Sequence, residues 1–333
     1  MKEEDLTLAI LLKYNLPTLE RGIMAVVLMF FAGLFIAVCN LFFRKSIDHG
    51  GTTKGYLIFQ MSTGLLVALS LNPIRTGDYA FNLPMVVFGL GAGLVLAGLV
   101  FTLGKALENV PPGVTFSILN GATVAPGVIM AALFGMARGF PYTPWHAMGS
   151  LVVLFGLFWA GKGLQGLRDR KVWISCAIAM FSFHVLLLVL FQLRALLLNM
   201  PHPEEITSLF SSEQIRSQWF MPLMFFSATC VQIVIFIRSE RRRPQTMEIL
   251  YGVIGGALNG LCTYFMIWAT EVATPLENAI IYPIFSVVTI ILSNLWGQKL
   301  YKEPVNWKAC QVCAFGLVIG TVDWKAVAGA IGW

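Results

Sequence analysis

The chain has 333 residues, of which 57% are hydrophobic and 12% charged, and its net charge is +6. A soluble protein carries about twice that charged fraction, and a soluble domain this apolar lacks the polar residues to cover its core. Composition therefore excludes a soluble enzyme, a secreted disulfide scaffold and a disordered chain, and leaves an all-α polytopic membrane protein.

Residues 1–21 carry Glu3, Glu4, Asp5, Lys13 and Glu20, without the basic start and cleavage site of a signal peptide. They read as an N-terminal segment in which Leu6, Ile10, Leu11 and Leu12 can form a short interfacial helix. Apolar runs follow at 22–43, 55–71, 83–103, 113–134, 145–161, 172–191, 219–237, 249–269, 276–296 and 307–323. At about 20 residues per span, these make about ten transmembrane helices. The breaks hold turn residues or charge, among them Asn72-Pro73, Pro111-Pro112, the 168–171 cluster and the 241–244 cluster, and the longest connection runs from about 199 to 217.

The six cysteines make no disulfide framework. Cys39, Cys176, Cys230 and Cys262 lie inside apolar runs, where cysteine acts as a small hydrophobe. Cys310 and Cys313 form C-x-x-C, but zinc takes four ligands and no histidine or second pair stands near, so no metal and no cofactor is expected. The positive charge is spread over loops and forms no face that tracks nucleic acid.

Sliding the sequence on itself by 163 residues pairs Gly89 with Gly252, Gly93 with Gly256, Ala106 with Ala269, Glu108 with Glu271, Pro112 with Pro275, Pro141 with Pro304 and Leu154 with Leu317. The chain therefore reads as two five-helix repeats, 22–164 and 172–325. Five spans is an odd number, so the second repeat enters the membrane from the opposite side. That is the 5+5 inverted-topology construction of many secondary transporters.

All seventeen acids lie in loops or at span ends by these boundaries, so no midspan carboxylate is available for proton–cation exchange. Glu108, Glu271 and Glu277 stand at helix mouths and are expected to be solvated there. No paired-acid motif and no H-E-x-x-H occurs, so the chain is not expected to be an enzyme. Polar residues within the spans form stripes. Asn278, Tyr282, Ser286, Thr289 and Ser293 share one helix face, as do Gly113, Ser117, Asn120, Thr123 and Gly127. Thr123 and Ser286 are repeat partners. Such groups face protein or a wet cavity. They act either as glue between helices or as a substrate cavity, and two stripes at repeat-related positions favour the cavity. Asn259 and Thr263 on the eighth span and His184 in the sixth join that candidate set. Gly89 and Gly93, with Gly252, Gly256 and Gly260, read as close-packing surfaces. Asn40 and Gln60 read as packing residues, and Arg194 as a side chain that snorkels to the interface.

The stretch 271–320 carries a small-residue helix with Pro283 near its middle, then the acidic loop residue Glu303, then a last helix bearing Gly316 and Gly320. It resembles the closing half-repeat of the drug/metabolite transporter superfamily, EamA-like branch. The first copy, 108–161, resembles it less closely, with Asn120 where the second has Pro283 and Phe140 where it has Glu303. The resemblance covers about two thirds of the chain. It implies ten helices around a central cavity, with the first, third, sixth and eighth completing a wall begun by the fourth and ninth, and export or exchange of small metabolites.

Fifteen of the 23 Lys and Arg residues fall in the odd-numbered loops, which places those loops in the cytoplasm and both termini outside; the resemblance implies termini inside. The expectation is a transporter of a small polar metabolite, neutral, zwitterionic or anionic and amino-acid-like or sugar-like. It sits as a monomer or homodimer in the lipid bilayer of a bacterial inner membrane. The alternative is a membrane-embedded enzyme or lipid-handling protein on the same fold.

Overall fold

The computed structural model describes residues 18–107, 112–135, 142–160, 170–200, 211–274, 277, 281–302 and 306–321. Among these no strand occurs. The helices are α1 Thr18–Asp48, α2 Thr53–Leu69, α3 Leu83–Leu107, α4 Pro112–Gly121, α5 Ala125–Phe134, α6 Pro144–Ala160, α7 Arg170–Asn199, α8 Ser212–Ile215, α9 Phe220–Ser239, α10 Thr246–Val272, α11 Ile281–Tyr301 and α12 Trp307–Thr321. Seven of them (α1, α2, α3, α7, α9, α10 and α11) are long and apolar enough to cross a membrane, and three shorter apolar helices run over Ile118–Phe134, Pro144–Trp159 and Trp307–Gly320. The chain is an integral membrane protein.

The run expected as one span over 113–134 is broken. Pro126 lacks the N–H that would bond the carbonyl of Ala122, and the Ala125 N–H takes that carbonyl instead, closing a 3-10 turn over Ala122–Val124 between α4 and α5. Helix α7 runs well past the expected end of its span at 191, to Asn199. Its last turns are buried rather than interfacial, with Gln192 1% and Arg194 6% exposed. Pro283 is the third described residue of α11.

Helix α10 lies along α1 and α2. Helix α3 lies along α7 and α9, α2 touches α9, α11 packs on α1, and α6 packs on α12. Glycine lets these backbones approach. A methyl at Gly252 would stand 2.6 Å from Phe59 Cβ, one at Gly256 2.5 Å from the Gln60 carbonyl oxygen, and one at Gly260 2.8 Å from Val67 Cβ. On α3, a methyl at Gly89 would stand 2.8 Å from Leu223 Cβ, and one at Gly93 would collide with the Met224 carbonyl. Gly316 of α12 fits equally closely on α6, with a methyl 2.8 Å from Val153 N. Cys313 packs on Gly156 of the same pair, and Cys310 accepts from Asn294 Nδ2 at 3.1 Å.

Contacts between helix ends sort the bundle into two ends. At one, Thr52 meets Glu248, Gly104 meets Thr53, and Arg44 lies 5.2 Å over the Tyr301 ring. At the other, Asn82 Nδ2 donates to Gln214 O at 3.2 Å, Ser217 Oγ to Ala80 O at 3.1 Å, and Asn199 Nδ2 to Glu271 O at 3.2 Å.

Candidate functional site

Between these ends lies a cavity of about 100 Å³, walled by α1, α2, α3, α4, α7, α9, α10 and α11. Among the described residues no Lys, Arg, Asp or Glu lines it. Asn40, Gln60 and Asn120 come from the first half of the chain, and His184, Asn259, Thr263 and Thr289 from the second. All seven are buried. The rest of the wall is apolar, with Leu96, Leu99, Val100 and Leu103 on α3 and Phe43, Phe191 and Phe285 elsewhere.

The hydrogen bonds of these side chains show which of their atoms are already paired within the protein. Gln60 Nε2 donates to Cys39 Sγ at 3.1 Å, and Gln60 Oε1 has no partner. Asn120 accepts through its backbone carbonyl from Ser286 Oγ at 2.7 Å, while its Nδ2 has no partner. His184 Nδ1 lies 2.8 Å from the Leu119 carbonyl. That carbonyl can only accept, so Nδ1 carries the hydrogen. Thr289 Oγ1 is spent on the Phe285 carbonyl at 2.7 Å, within its own helix.

Of the residues the sequence assigned to a cavity, Asn120, His184, Asn259, Thr263 and Thr289 line it. Thr123, Tyr282 and Ser286 do not. Thr123 Oγ1 and Ser286 Oγ hydrogen-bond each other at 2.8 Å, and Tyr282 OH donates to the Leu188 carbonyl at 3.1 Å. These three serve as glue between helices, each hydroxyl having found a protein partner in the apolar interior. Asn278 and the side chain of Ser117 lie outside the described residues. Asn40 and Gln60, read as packing residues, line the cavity, because α1 and α2 both turn a face to it. Each stands alone in an apolar run, and no period in the sequence singles it out.

The first bundle end is closed by charge. Glu248 is fully buried in the first turn of α10. Its carboxylate accepts from Thr52 N at 2.7 Å, Thr52 Oγ1 at 3.0 Å and Gln245 N at 2.7 Å, and from both Arg242 Nη1 at 3.0 Å and Nη2 at 2.5 Å. Arg242 Nε reaches Glu240 at 3.1 Å, and Lys54 Nζ reaches the same carboxylate at 3.4 Å. The Glu248 carboxylate holds the Arg242 guanidinium above its ordinary pKa. Gly55 has no side chain because a Cβ there would strike that carboxylate. The Gln245-x-x-Glu248 capping box was the sequence signal for this site.

Charge is also buried at the second end. Arg194 does not snorkel. It pairs with Glu271, stands 5.1 Å from the Phe220 ring, and keeps an unpartnered buried Nε. Glu271, expected to be solvated, is thus half of an ion pair. Glu277 is buried and accepts from Thr274 N and Oγ1, both at 2.8 Å, and burial pushes its carboxyl above the usual carboxylate range.

No family model matches the sequence, and no curated protein matches it. Among solved structures, one crystal structure of a protein superposes at a TM-score of 0.67 with 17% identity, over 91% of this chain and 99% of that one. At that identity the likeness is one of fold alone.

Proposed function

We propose that the protein is a secondary transporter of a small metabolite, built as a 5+5 inverted repeat of the drug/metabolite transporter kind and working by alternating access. In this reading the seven long helices and the three shorter apolar ones are its ten spans. The observation that carries it is a set of matched contacts on the two sides of the cavity. Gly89 abuts Phe220 O and Leu223 Cβ, as Gly252 abuts Tyr56 O and Phe59 Cβ; Gly93 abuts Met224 O and Ser227 Cβ, as Gly256 abuts Gln60 O and Thr63 Cβ. Phe43 stacks on Tyr56 as Phe191 meets Phe220. Thr123 and Ser286, separated by 163 residues, touch each other, as two equivalent positions do beside a two-fold axis.

Such an axis lets two similar halves pack in two related ways, so that one central cavity opens to either side in turn. The end holding Arg44, Lys45, Lys54 and Arg241 to Arg243 is the cytoplasmic one by the positive-inside rule, in a bacterial inner membrane. The Thr52–Glu248–Arg242 network then closes the cytoplasmic mouth, tying the α1–α2 connection of one half to the α9–α10 connection of the other.

The test is solute counterflow in proteoliposomes, over a panel of amino acids, sugars, organic acids and neutral amides. It uses Lys54→Cys with Glu240→Cys, bridged by a short reversible bifunctional thiol reagent. The reading expects saturable exchange of one solute class, stopped by the bridge and restored by a reductant. No exchange of any class, flux that never saturates, or exchange indifferent to the bridge contradicts it.

A further inference from the structure

The two ends of the bundle are closed by different chemistry, and the step taken from that difference rests on the transporter reading above. We infer that the closures are unequal, a charged lock at the end of Arg242 and a neutral one at the other, so that without solute the cavity opens mostly to the side away from Arg242. The bonds that opening must break are those joining the first half of the chain to the second. At the first end these involve ionised groups. Thr52 donates to the Glu248 carboxylate through N at 2.7 Å and Oγ1 at 3.0 Å, Arg242 Nη2 donates to Thr52 Oγ1 at 3.0 Å, and Lys54 pairs with Glu240 at 3.4 Å. The carboxylate lies where the first turns of α2 and α10 meet, a place that both helix dipoles make favourable for negative charge.

At the second end, among the described residues, the bonds between the halves are neutral. Asn82 Nδ2 donates to Gln214 O at 3.2 Å, Ser217 Oγ to Ala80 O at 3.1 Å and Asn72 Nδ2 to Met221 Sδ at 3.4 Å, and Phe81 meets the Trp219 ring edge-on. The sequence carries the difference. In the register that pairs Gly89 with Gly252, Met85 stands where Glu248 does and Tyr79 where Arg242 does. Gly51 and Gly55, on either side of Thr52, make room for the carboxylate: a methyl at Gly51 would stand 2.9 Å from Glu248 Cγ, and one at Gly55 would strike the carboxyl group itself. In the register that matches Tyr56 with Phe220, the residues in their places are Ile215 and Trp219. Met85 and Ile215 are buried in one apolar cluster, so the second end is plugged by side chains where the first is tied by charge.

A hydrogen bond to a charged group is worth about twice a neutral one, even after water has competed for it. The first end therefore costs more to open. A tenfold difference in population corresponds to about 1.4 kcal/mol, about the gap between one charge-assisted bond and one neutral bond. Solute arriving from the side away from Arg242 meets a cavity already open to it, and its apparent affinity is tighter there, because the fraction of competent carrier sets that affinity. The direction of net flux stays with the solute gradient, since a lock slows both directions of a passive cycle alike.

Cys262, in the cavity wall, reports the bias. A small membrane-impermeant thiol reagent is added to one side or the other of oriented proteoliposomes without solute, and the rate of Cys262 modification from each side is read by mass spectrometry. The wild type is expected to react at least tenfold faster from the side away from Arg242. Glu248→Gln keeps the shape of the side chain and removes its charge, and is expected to bring the two rates within threefold. Lys54→Met removes only the ion pair with Glu240, and is expected to narrow the ratio at least twofold with the fold intact. A smaller wild-type ratio, faster reaction from the side of Arg242, or a ratio that neither substitution narrows overturns the inference. Two outcomes separate it from the transporter reading. Unequal rates that the substitutions level, with no solute exchanged in proteoliposomes, sink transport and leave the unequal locks standing. Saturable exchange that the thiol bridge stops, with equal rates at Cys262 in the wild type, does the reverse.

Discussion

Helices α3 and α10 each turn four residues toward the cavity at the same spacing: Leu96, Leu99, Val100 and Leu103 on α3, and Asn259, Cys262, Thr263 and Met266 on α10. Their backbones meet their neighbours through the same glycines, Gly89 and Gly93 on one and Gly252 and Gly256 on the other. One wall is a hydrocarbon surface and the other is polar. Backbone approach tolerates no side chain, so glycine recurs in both copies, whereas nothing in the packing dictates what faces the void. The positions that differ between the two helices are therefore the ones that make one side of the cavity apolar and the other polar. Thr123 and Ser286 make the same point from the other side: polar in both copies, they satisfy each other and stay out of the cavity.

Substitutions sharpen this contrast, beginning with the packing positions. Gly256→Leu drives a side chain into the Gln60 carbonyl and is expected to cost more than about 3 kcal/mol, read as loss of the monodisperse peak on size exclusion. Gly91→Ala, on the same helix as Gly93, meets nothing within 4 Å and is expected to stabilise by about 0.5–1 kcal/mol. Next comes the charged closure. Glu248→Ala strands the Thr52 and Gln245 N–H groups and an arginine, and is expected to cost about 2–4 kcal/mol in thermal or denaturant unfolding.

Exchanging the wall chemistry comes third. Leu96→Asn buries an amide among hydrocarbon and is expected to cost about 1–3 kcal/mol. Asn259→Leu with Thr263→Val makes α10 resemble α3, and is expected to leave the melting temperature unchanged or raised while weakening ligand binding at least tenfold. The smallest effect belongs to the paired hydroxyls. A double-mutant cycle of Thr123→Val with Ser286→Ala is expected to give a coupling of about 0.6 kcal/mol, with ligand affinity unaltered. A large change in affinity there would place these residues in the site after all.

Much of the membrane architecture was legible in the sequence, because apolar runs of span length between charged or proline-bearing breaks have few other uses. The break at Ala122–Val124 was less so: Pro126 was visible, but not that the chain would tighten ahead of it instead of kinking. Buried charge is not legible in the sequence, for a physical reason. Arg194 and Glu271 are 77 residues apart, and nothing local records that each shields the other from the apolar interior. The cavity was half legible. Its histidine and several of its amides stand out as polar residues in hydrocarbon, but the polar positions that recur in both copies, Thr123 and Ser286, bond each other. Asn40 and Gln60 have no polar counterpart in the second copy, and that singularity was the signal to follow.

The most direct test of alternating access needs no ligand. Cys262 lines the cavity and is 2% exposed. Its modification by a small membrane-impermeant thiol reagent, added to one side of oriented proteoliposomes and then to the other, is followed by mass spectrometry with the Lys54→Cys/Glu240→Cys bridge formed and released. The account predicts reaction from both sides when the bridge is released, and from the side away from the bridge alone when it is formed. Reaction from both sides whatever the state of the bridge, or from one side only in every state, would contradict it.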